Sequence, residues 1–294
     1  MGSTRPYHYS NSNRIKYSFG ESNTVDGLWR STHKYVAALL GIASAWDYWL
    51  KGKRNITLHP LNNASRYGHF PQHLNNFLVD LKPNTLYDIS SQEEIPNDLK
   101  AVSTNLSPEL VLQAYPMGLF PWHQDDKFFY WFSPDPRMVL FPEKVNVTKS
   151  MRNVLNQNKF SITENKAFED VIEKCASIKR KDHGDTWITD DFKNTYVELH
   201  KMGFAKSIEA WNDKQELVGG LYGLEIGKIF FGESMFSSES NTSKTCFIYL
   251  AKKLESQGLS CLDCQAVNPH LKTLGAEEVS EAQFLELLEK SILS

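Results

Sequence analysis

The chain has 294 residues, of which 41% are hydrophobic, and carries a formal net charge of −3. This length and apolar content are sufficient for a full hydrophobic core divided over two or three domains. The slightly negative charge excludes the extended basic surface of proteins that track long stretches of nucleic acid backbone. A nucleic acid partner would therefore be contacted locally.

Residues 1–80 mix Asn, Ser, His and Tyr around one apolar segment, "YVAALLGIASAWDYWL" at 35–50. The segment is too short to cross a bilayer and contains Asp47, so it predicts a buried or amphipathic helix and no membrane association. The absence of a secretory signal predicts a cytoplasmic location. The first twenty residues contain no acidic residue, which leaves an organellar transit peptide open. No chemical motif indicates what this extension does.

The next segments predict little regular structure apart from one helix. Residues 83–105 are polar and interrupted by proline, which predicts a linker or an irregular layer. Ser107 and Pro108 form an N-cap and first-turn pair for a helix that ends at Gly118. The aromatic, proline-broken segment 119–137 predicts a shaped loop.

The remainder alternates between helical and strand periodicity. Apolar spacings of three and four predict helices, the third of them capped by Thr189, at 149–157, 167–177 and 190–202. Alternating runs predict an antiparallel meander of three strands at 206–211, 216–226 and 228–234. A helix at 243–257 and a strand at 259–267 follow. The paired Gly219 and Gly220 within a strand predict a bulge or a close backbone approach. Together these elements predict an α+β fold.

The strand at 259–267 contains a CxxC pair, Cys261 and Cys264. A zinc site would need two further ligands at suitable spacing, and a redox pair normally opens a helix. Alternation along a strand sends the two thiols to opposite faces and places Asp263 and Gln265 on one face. We therefore interpret the cysteines as small buried residues, predict no metal site, and take the carboxylate and carboxamide as the candidate chemistry.

Ten short motifs occur in a fixed order from about residue 106 to about 288, and this series resembles that of the leucyl/phenylalanyl-tRNA–protein transferases. The motifs are "AYPMGLFPW", "WFSPDPR", "AFEDVIEKCA", "TWIT", "KSIEAW", "LVGGLYG", "FFGESMFS", "NTSK", "LDCQ" and "HLKTLGA". The resemblance implies three parts: an extra N-terminal extension at 1–80, a small N-terminal α/β domain at 81–137, and an acetyltransferase-like catalytic domain at 138–294.

The resemblance also implies an activity. Such enzymes move leucine or phenylalanine, and methionine less well, from aminoacyl-tRNA to the N-terminal Arg or Lys of a protein, which marks that protein for degradation. Replacing an ester by an amide is downhill, so no cofactor or metal is expected. The site must align the amine with the carbonyl carbon and accept a proton. The D-x-Q pair of Asp263 and Gln265 suits this task, with Asp263 supplying the charge bias.

The motif positions imply the other site residues. Trp122 and Trp187 correspond to the tryptophans that stack on the terminal adenosine of the tRNA, and stacking contributes about 1–3 kcal/mol per base. Glu233 would pair with the amino group of the esterified residue. The pocket for the amino-acid side chain would consist of Leu221, Phe230, Gly232 and Ser234. Ser234 lacks the second glycine of a nucleophile elbow, so it is not predicted to be a nucleophile.

Two departures from the family pattern affect these expectations. Family members usually carry His where this chain has Lys206, and Gly-Gly-Asp-Leu where it has "STNL" at 103–106. Lys206 is therefore a candidate determinant of acceptor specificity and opens the alternative of an acidic N-terminal acceptor. Two other classes stay open. An acyl-CoA-dependent N-acetyltransferase should show a pyrophosphate-binding loop before a helix, and an inactive binding module should have lost the site residues.

Overall fold

The structure is a computed structural model that describes residues 82–90, 96–178 and 186–293. The predicted N-terminal extension at 1–80, with its apolar segment at 35–50, lies outside the described residues.

A small four-stranded antiparallel sheet comes first in the chain. Its strands, in the spatial order β1-β2-β4-β3, are β1 Tyr87–Asp88, β2 Leu99–Ser103, β3 Phe120–Gln124 and β4 Phe129–Phe132. Trp131 is fully buried at its centre, and its indole N–H donates to the hydroxyl of Ser103 at 2.9 Å. The predictions of a linker at 83–105 and of a loop at 119–137 are therefore wrong in part. Strands this short show too little alternation to stand out from proline-rich flanks.

Helix α1, Pro108–Ala114, lies between β2 and β3 and has the predicted N-terminus. The side chain of Ser107 accepts from the backbone N–H of Leu110, and Pro108 occupies the first turn. A 3₁₀ turn at Tyr115–Met117 continues the helix to Gly118, whose φ of 80° favours glycine. The turn places Tyr115 in the interior of the protein.

A large seven-stranded sheet forms the rest of the scaffold, in the spatial order β11-β5-β10-β9-β8-β7-β6. Its strands are β5 Arg137–Leu140, β6 Ser161–Glu164, β7 Ala205–Trp211, β8 Leu217–Ile226, β9 Ile229–Ser237, β10 Cys261–Gln265 and β11 Glu277–Val279. Strands β7, β8 and β9 form the predicted meander. Neighbouring strands are antiparallel except β9 and β10, which are parallel.

Six further helices complete the mixed α and β architecture. They are α2 Lys149–Asn156, α3 Phe168–Ser177, α4 Asp190–Lys201, α5 Thr242–Gln257, α6 Pro269–Thr273 and α7 Glu281–Leu293. The helices predicted from apolar spacing are confirmed to within about a residue. The predicted cap at Thr189 is wrong in its chemistry, because its hydroxyl donates to Gln124 instead of accepting from the first turn of α4. Among the described residues, none of the helices has the length and apolar character needed to span a bilayer.

The large sheet is covered on both faces. Helices α3 and α4 pack on one face and form what we call the first core, which includes Phe168, Phe192, Tyr196, Tyr222 and Phe231. Helix α5 packs on the other face and forms the second core, which includes Leu221, Phe230, Phe247, Leu250 and Leu262. Residues of the small sheet and of α7 also join the first core.

The close approach predicted at Gly219 and Gly220 is confirmed. A Cβ atom at Gly219 would lie 2.4 Å from Cβ of Thr242, the first residue of α5, and one at Gly220 would lie 2.8 Å from the ring of Phe236. Both distances are shorter than real carbon–carbon contacts. The glycines therefore let α5 and the phenylalanine ring pack directly on the backbone of β8.

Candidate active site

The parallel strands β9 and β10 lie in the middle of the large sheet, and their pairing is short. Three residue pairs connect them, and the last joins Phe231 to Asp263. Strand β9 nevertheless continues to Ser237, while β10 shifts register against β5 and ends at Gln265 with a φ of 63°. Parallel strands that stop pairing leave polar backbone and side chains accessible between their ends. The predicted site residues on these strands lie at this point.

Glu233 is the extra residue of a β-bulge at that point. On the neighbouring strand, Tyr222 pairs with Ser234 and Gly223 pairs with Gly232, so Glu233 has no partner across the ladder. A bulge of this kind turns a side chain away from the regular alternation and is frequent beside active sites. Beyond the bulge the alternation of β9 is reversed, so that Phe231 and Phe236 both belong to the first core.

The Glu233 carboxylate lies on the first-core face and is almost completely buried, with 8% exposure. Its Oε1 lies 2.8 Å from Oη of Tyr115 and accepts from Nε2 of Gln265 at 3.2 Å, whereas Oε2 lies 3.0 Å from Oη of Tyr196. The three partners come from the turn after α1, from β10 and from α4. We call Glu233, Tyr115, Tyr196 and Gln265 the carboxylate cluster.

Burial controls the electrostatics of this cluster. Desolvation raises the pKa of Glu233 from 4.5 to about 7, although hydrogen bonds from Tyr115 and Tyr196 act in the opposite direction. Burial and the nearby Glu233 charge raise the pKa of both tyrosines well above 10, so the hydroxyls keep their protons. Glu233 can therefore gain or lose a proton near neutral pH, which is a property of groups that handle protons or bind amines.

Asp263 is fully buried in an ion pair that the sequence analysis missed. Nε and Nη2 of Arg137 donate to its two carboxylate oxygens at 2.9 and 2.6 Å, and the backbone N–H of Gln265 donates to Oδ1 at 2.9 Å. Arg137 also donates to the carbonyl of Gly118 at 3.0 Å. The bidentate geometry neutralises the Asp263 charge and orients the strand end that carries Gln265.

Aromatic rings enclose the same guanidinium. The Cζ atom of Arg137 lies 4.7 Å from the ring centroid of Phe120 and 4.4 Å from that of Phe284. These distances are typical of cation–π contacts in a site that excludes water. Strand β3 and helix α7 therefore contribute indirectly to the position of Asp263.

The residues predicted for the amino-acid pocket are divided between the two faces of the sheet. Leu221 and Phe230 belong to the second core under α5, across the sheet from the Glu233 carboxylate. Ser234 pairs opposite Tyr222, a residue of the first core. Gly232 lies where β9 and β10 part, and a Cβ atom there would lie 3.3 Å from the carbonyl oxygen of Asp263.

Both predicted adenosine-stacking tryptophans are accessible. Trp122 on β3 is 39% exposed and rests edge-on against Phe132, while the half-buried Trp187 rests edge-on against Phe192. The two segments that carry them are joined, because Thr189 donates to Oε1 of Gln124 at 2.7 Å. Gln124 is two residues beyond Trp122, and Thr189 is two residues beyond Trp187. The segments that carry the two indoles are therefore in contact.

Lys206 lies on β7, opposite Gly223, which in turn pairs with Gly232. This row of paired residues crosses the sheet from Lys206 to the point where β9 and β10 stop pairing. Burial acts to raise the pKa of Glu164, but hydrogen bonds from Lys253 and from Tyr249, the latter at 2.8 Å, lower it, and the positive charges of Lys253 and then Lys206 add to that lowering. Part of the Lys206 charge is therefore balanced by a neighbouring carboxylate.

The CxxC cysteines take opposite faces, because Cys261 belongs to the first core and Cys264 packs against the second. Burial raises the pKa of the Cys261 thiol to about 12 and also raises that of Cys264. Such thiols are poor nucleophiles and poor metal ligands. Within the described ranges, no cluster of three or more His, Cys, Asp or Glu side chains could hold a metal ion.

Three residues of the site escaped the sequence analysis: Tyr115, Tyr196 and Arg137. The two tyrosines occupy positions that the helical pattern assigns to the core. Tyr115 lies 81 residues from Tyr196 and 118 from Glu233, and Tyr196 lies 37 residues from Glu233. Arg137 is the last residue of the motif "WFSPDPR", and a charged residue at the end of an apolar motif was the signal that could have indicated its role in the site.

The chain was compared with families and with curated proteins. The family model described as "Leucyl/phenylalanyl-tRNA protein transferase" matches residues 139–289, and the model of its N-terminal domain matches residues 104–135. A transferase of Christiangramia forsetii is 47% identical over 212 residues, which cover 69% of this chain and 100% of the relative. A transferase of Saccharophagus degradans is 45% identical and covers 70% of this chain and 84% of the relative. Both relatives are named "Leucyl/phenylalanyl-tRNA--protein transferase".

Solved structures give a weaker likeness. L-PGS from Bacillus licheniformis shares 9% identity with a TM-score of 0.32, over 57% of this chain and 54% of that one. This score is too low to support an argument. The two family models, in contrast, match 104–135 and 139–289, ranges that contain Glu233, Asp263, Gln265 and both tryptophans. The chain belongs to the leucyl/phenylalanyl-tRNA–protein transferase family.

Proposed function

We propose that this aminoacyltransferase joins its two substrates at the point where β9 and β10 stop pairing, beside Glu233 and Gln265. Members of the family transfer an amino acid from aminoacyl-tRNA to the N-terminus of a protein. Our proposal assigns leucine and phenylalanine, and methionine less well, as the donors, and N-terminal Arg or Lys as the acceptor. The observation that supports it most is the buried Glu233 carboxylate joined to Gln265 at 3.2 Å, at the point where β9 and β10 stop pairing.

The reaction needs alignment more than activation. The acceptor amine, with a pKa of about 8, attacks the ester carbonyl as the neutral amine. As the amide forms, the nitrogen loses one proton and the departing ribose oxygen gains one, so the step is balanced without a cofactor. We propose that the amide oxygen of Gln265 holds the attacking amine, because that side chain lies beside the end of β10. Alignment of this kind can lower a barrier by about 7–11 kcal/mol.

Asp263 takes a different role from the one the sequence suggested. Its carboxylate is fully buried and already paired with Arg137, so it is not free to bind the acceptor amine. We propose that Asp263 acts through Gln265: its bond to the backbone N–H fixes the left-handed conformation at the end of β10. Asp263 and Arg137 are thus positioning residues, while Gln265 and Glu233 contact the substrates.

The remaining site residues would each bind a different part of the aminoacyl-tRNA. Trp122 and Trp187 would hold the terminal adenosine by stacking, which their exposure and their linked segments support. Gly232 and Ser234, at the opening between the strands, would line the amino-acid pocket, whereas Leu221 and Phe230 lie across the sheet from the Glu233 carboxylate and would support the pocket only from the second core. Such a pocket accepts Leu, Phe or Met because it discriminates by size and polarity.

Lys206 is the candidate determinant of acceptor preference, and its surroundings favour the basic acceptor. The lysine lies near Glu164, so its field at the site is weakened. We therefore propose Arg and Lys as acceptors, ahead of the acidic alternative.

We also propose the domain organisation and location that the family resemblance implies. The small sheet and α1 would form the N-terminal domain at 81–137, and the large sheet with α2–α7 the acetyltransferase-like domain at 138–294, after an extension at 1–80. A cytoplasmic location would give access to tRNA and to nascent N-termini. The separate sheets at 87–132 and from 137 onward support this division.

Transfer of labelled phenylalanine tests the proposed function. The enzyme is given Phe-tRNA and peptides that differ only in a first residue of Arg, Lys, Asp or Glu. We expect label on the Arg and Lys peptides, and a much lower yield with Gln265→Ala at unchanged Phe-tRNA binding. Label on the Asp and Glu peptides alone would overturn the acceptor assignment, and full activity of Gln265→Ala would overturn the assigned site.

A further inference from the structure

Three side chains of the carboxylate cluster, those of Glu233, Tyr115 and Tyr196, form a closed ring of contacts through four oxygen atoms. The Oη atoms of Tyr115 and Tyr196 lie 2.6 Å apart, and they lie 2.8 and 3.0 Å from the two oxygens of Glu233. All three side chains are buried. Each separation falls within the range of an O–H···O hydrogen bond, and the shortest joins the two tyrosines.

An ionised Glu233 leaves too few protons to fill the three short contacts. Each tyrosine hydroxyl has one hydrogen, so two protons are available for three short contacts when Glu233 is charged. If both hydroxyls donate to the carboxylate, the two Oη atoms face each other at 2.6 Å without a proton between them. A third proton, carried by Glu233, satisfies all three contacts at once.

We propose that Glu233 is a neutral acid in the free enzyme and closes a ring of three hydrogen bonds with Tyr115 and Tyr196, which act as positioning residues. In this ring Glu233 donates to Tyr196, Tyr196 donates to Tyr115, and Tyr115 donates back to Oε1 of Glu233. Gln265 donates to the same Oε1 from outside the ring. Burial of the carboxyl, which raises its pKa to about 7, supports this state.

Other groups near the ring agree with a neutral acid. From β10, the negative charge of Asp263 raises the pKa of Glu233, although Arg137 pairs with that charge. From β8, Tyr222 lies edge-on to Tyr196 with ring centroids 5.6 Å apart.

If Glu233 is neutral in the free enzyme, binding of the aminoacyl donor is coupled to transfer or release of the Glu233 proton. This step rests on the proposed function, in which Glu233 pairs with the amino group of the esterified residue. A neutral amine takes the proton of Glu233, and the ion pair forms without exchange with solvent. A charged ammonium, in contrast, requires that the Glu233 proton leave for solvent. Below neutral pH, binding of the donor should therefore release about one proton.

Titration of the free enzyme tests the ring without any substrate. The protein is labelled with carbon-13 at the glutamate carboxyl, and the Glu233 signal is identified by its loss in Glu233→Gln. We expect a midpoint near neutral pH in the wild type. In Tyr115→Phe and Tyr196→Phe the midpoint should move to higher pH, because each variant removes a donor to the ionised form.

A matched control variant removes the same kind of bond elsewhere. Tyr249 donates to Glu164 at 2.8 Å, outside the cluster. Tyr249→Phe should shift the Glu164 signal and leave the Glu233 midpoint in place. A Glu233 signal that stays ionised from pH 5 to 9 would overturn the proposal, and so would equal midpoints in the wild type and both ring variants.

Calorimetry then tests the consequence for the donor. The ligand is an amide-linked phenylalanyl-adenosine analogue, titrated at pH 6 in two buffers with different ionisation enthalpies. We expect release of about one proton with the wild type, and none with Glu233→Gln or with the analogue that lacks the amino group. Absence of release from a wild type whose Glu233 is neutral by titration would overturn the link to donor recognition. A lack of any binding would instead count against the proposed function.

Discussion

Replacing Asp263 by Ala leaves the Arg137 guanidinium buried without its carboxylate. The two side chains are 0% and 1% exposed, and their bidentate contact has distances of 2.9 and 2.6 Å. Removing one partner of a buried pair costs about 3–5 kcal/mol, because the other charge is stranded away from water. The variant also leaves the backbone N–H of Gln265 without its acceptor. We therefore expect Asp263→Ala to lose stability as well as activity.

Urea unfolding at neutral pH measures this loss, and two further variants control it. Arg137→Met combined with Asp263→Asn removes both charges, and we expect it to be no less stable than either single variant. Glu277→Ala removes the exposed ion pair with Lys144 and should cost less than about 1 kcal/mol. The reasoning is refuted if Asp263→Ala unfolds within about 1 kcal/mol of the wild type, or if the double variant loses the sum of the two single losses.

Three other variants give separate predictions. Glu233→Gln should match the wild type in stability near pH 4.5 and exceed it by about 3 kcal/mol above pH 8, because a raised pKa stabilises the fold at low pH and this contribution is lost as the pH rises through about 7. The difference between the urea midpoints of the two proteins should therefore grow with pH, and a constant difference would contradict this. Trp122→Ala and Trp187→Ala should weaken Phe-tRNA binding about tenfold or more at similar melting temperature, by filter binding; melting loss with unchanged affinity would make them core residues. Lys206→His should change the ratio of Arg to Asp peptides modified by less than about threefold, because Glu164 balances the lysine; a larger change would make Lys206 a main determinant.

Periodicity predicted the long elements well and the short ones poorly. Helix α5 and strands β7 to β9 carry enough apolar repeats to be located from the sequence. Strands β6 and β11 have four and three residues and lie at the edges of the large sheet, so no alternation develops in them. Strand β5 is buried along its whole length, which hides its period.

The site could be predicted as a set of motifs but not as a geometry. Asp263, Gln265 and Glu233 each stand in a recognisable motif of the family. Which residue pairs with which was not predictable, because Arg137 meets Asp263 across 126 residues and Tyr115 meets Glu233 across 118. The bulge that turns Glu233 toward the tyrosines depends on a register shift between two strands, which a single sequence does not specify. The roles of Asp263 and Glu233 therefore depend on contacts between residues that are far apart in the sequence.

The rate of a single transfer tests most directly whether chemistry takes place between Glu233 and Gln265. Enzyme saturated with Phe-tRNA is mixed with an excess of an Arg-initiated peptide, and the first turnover is followed by mass spectrometry. We predict that Gln265→Ala lowers this rate by about 100-fold or more, while Phe-tRNA affinity and the unfolding midpoint stay near those of the wild type. A first-turnover rate equal to that of the wild type would contradict the account and place the reaction elsewhere in the fold.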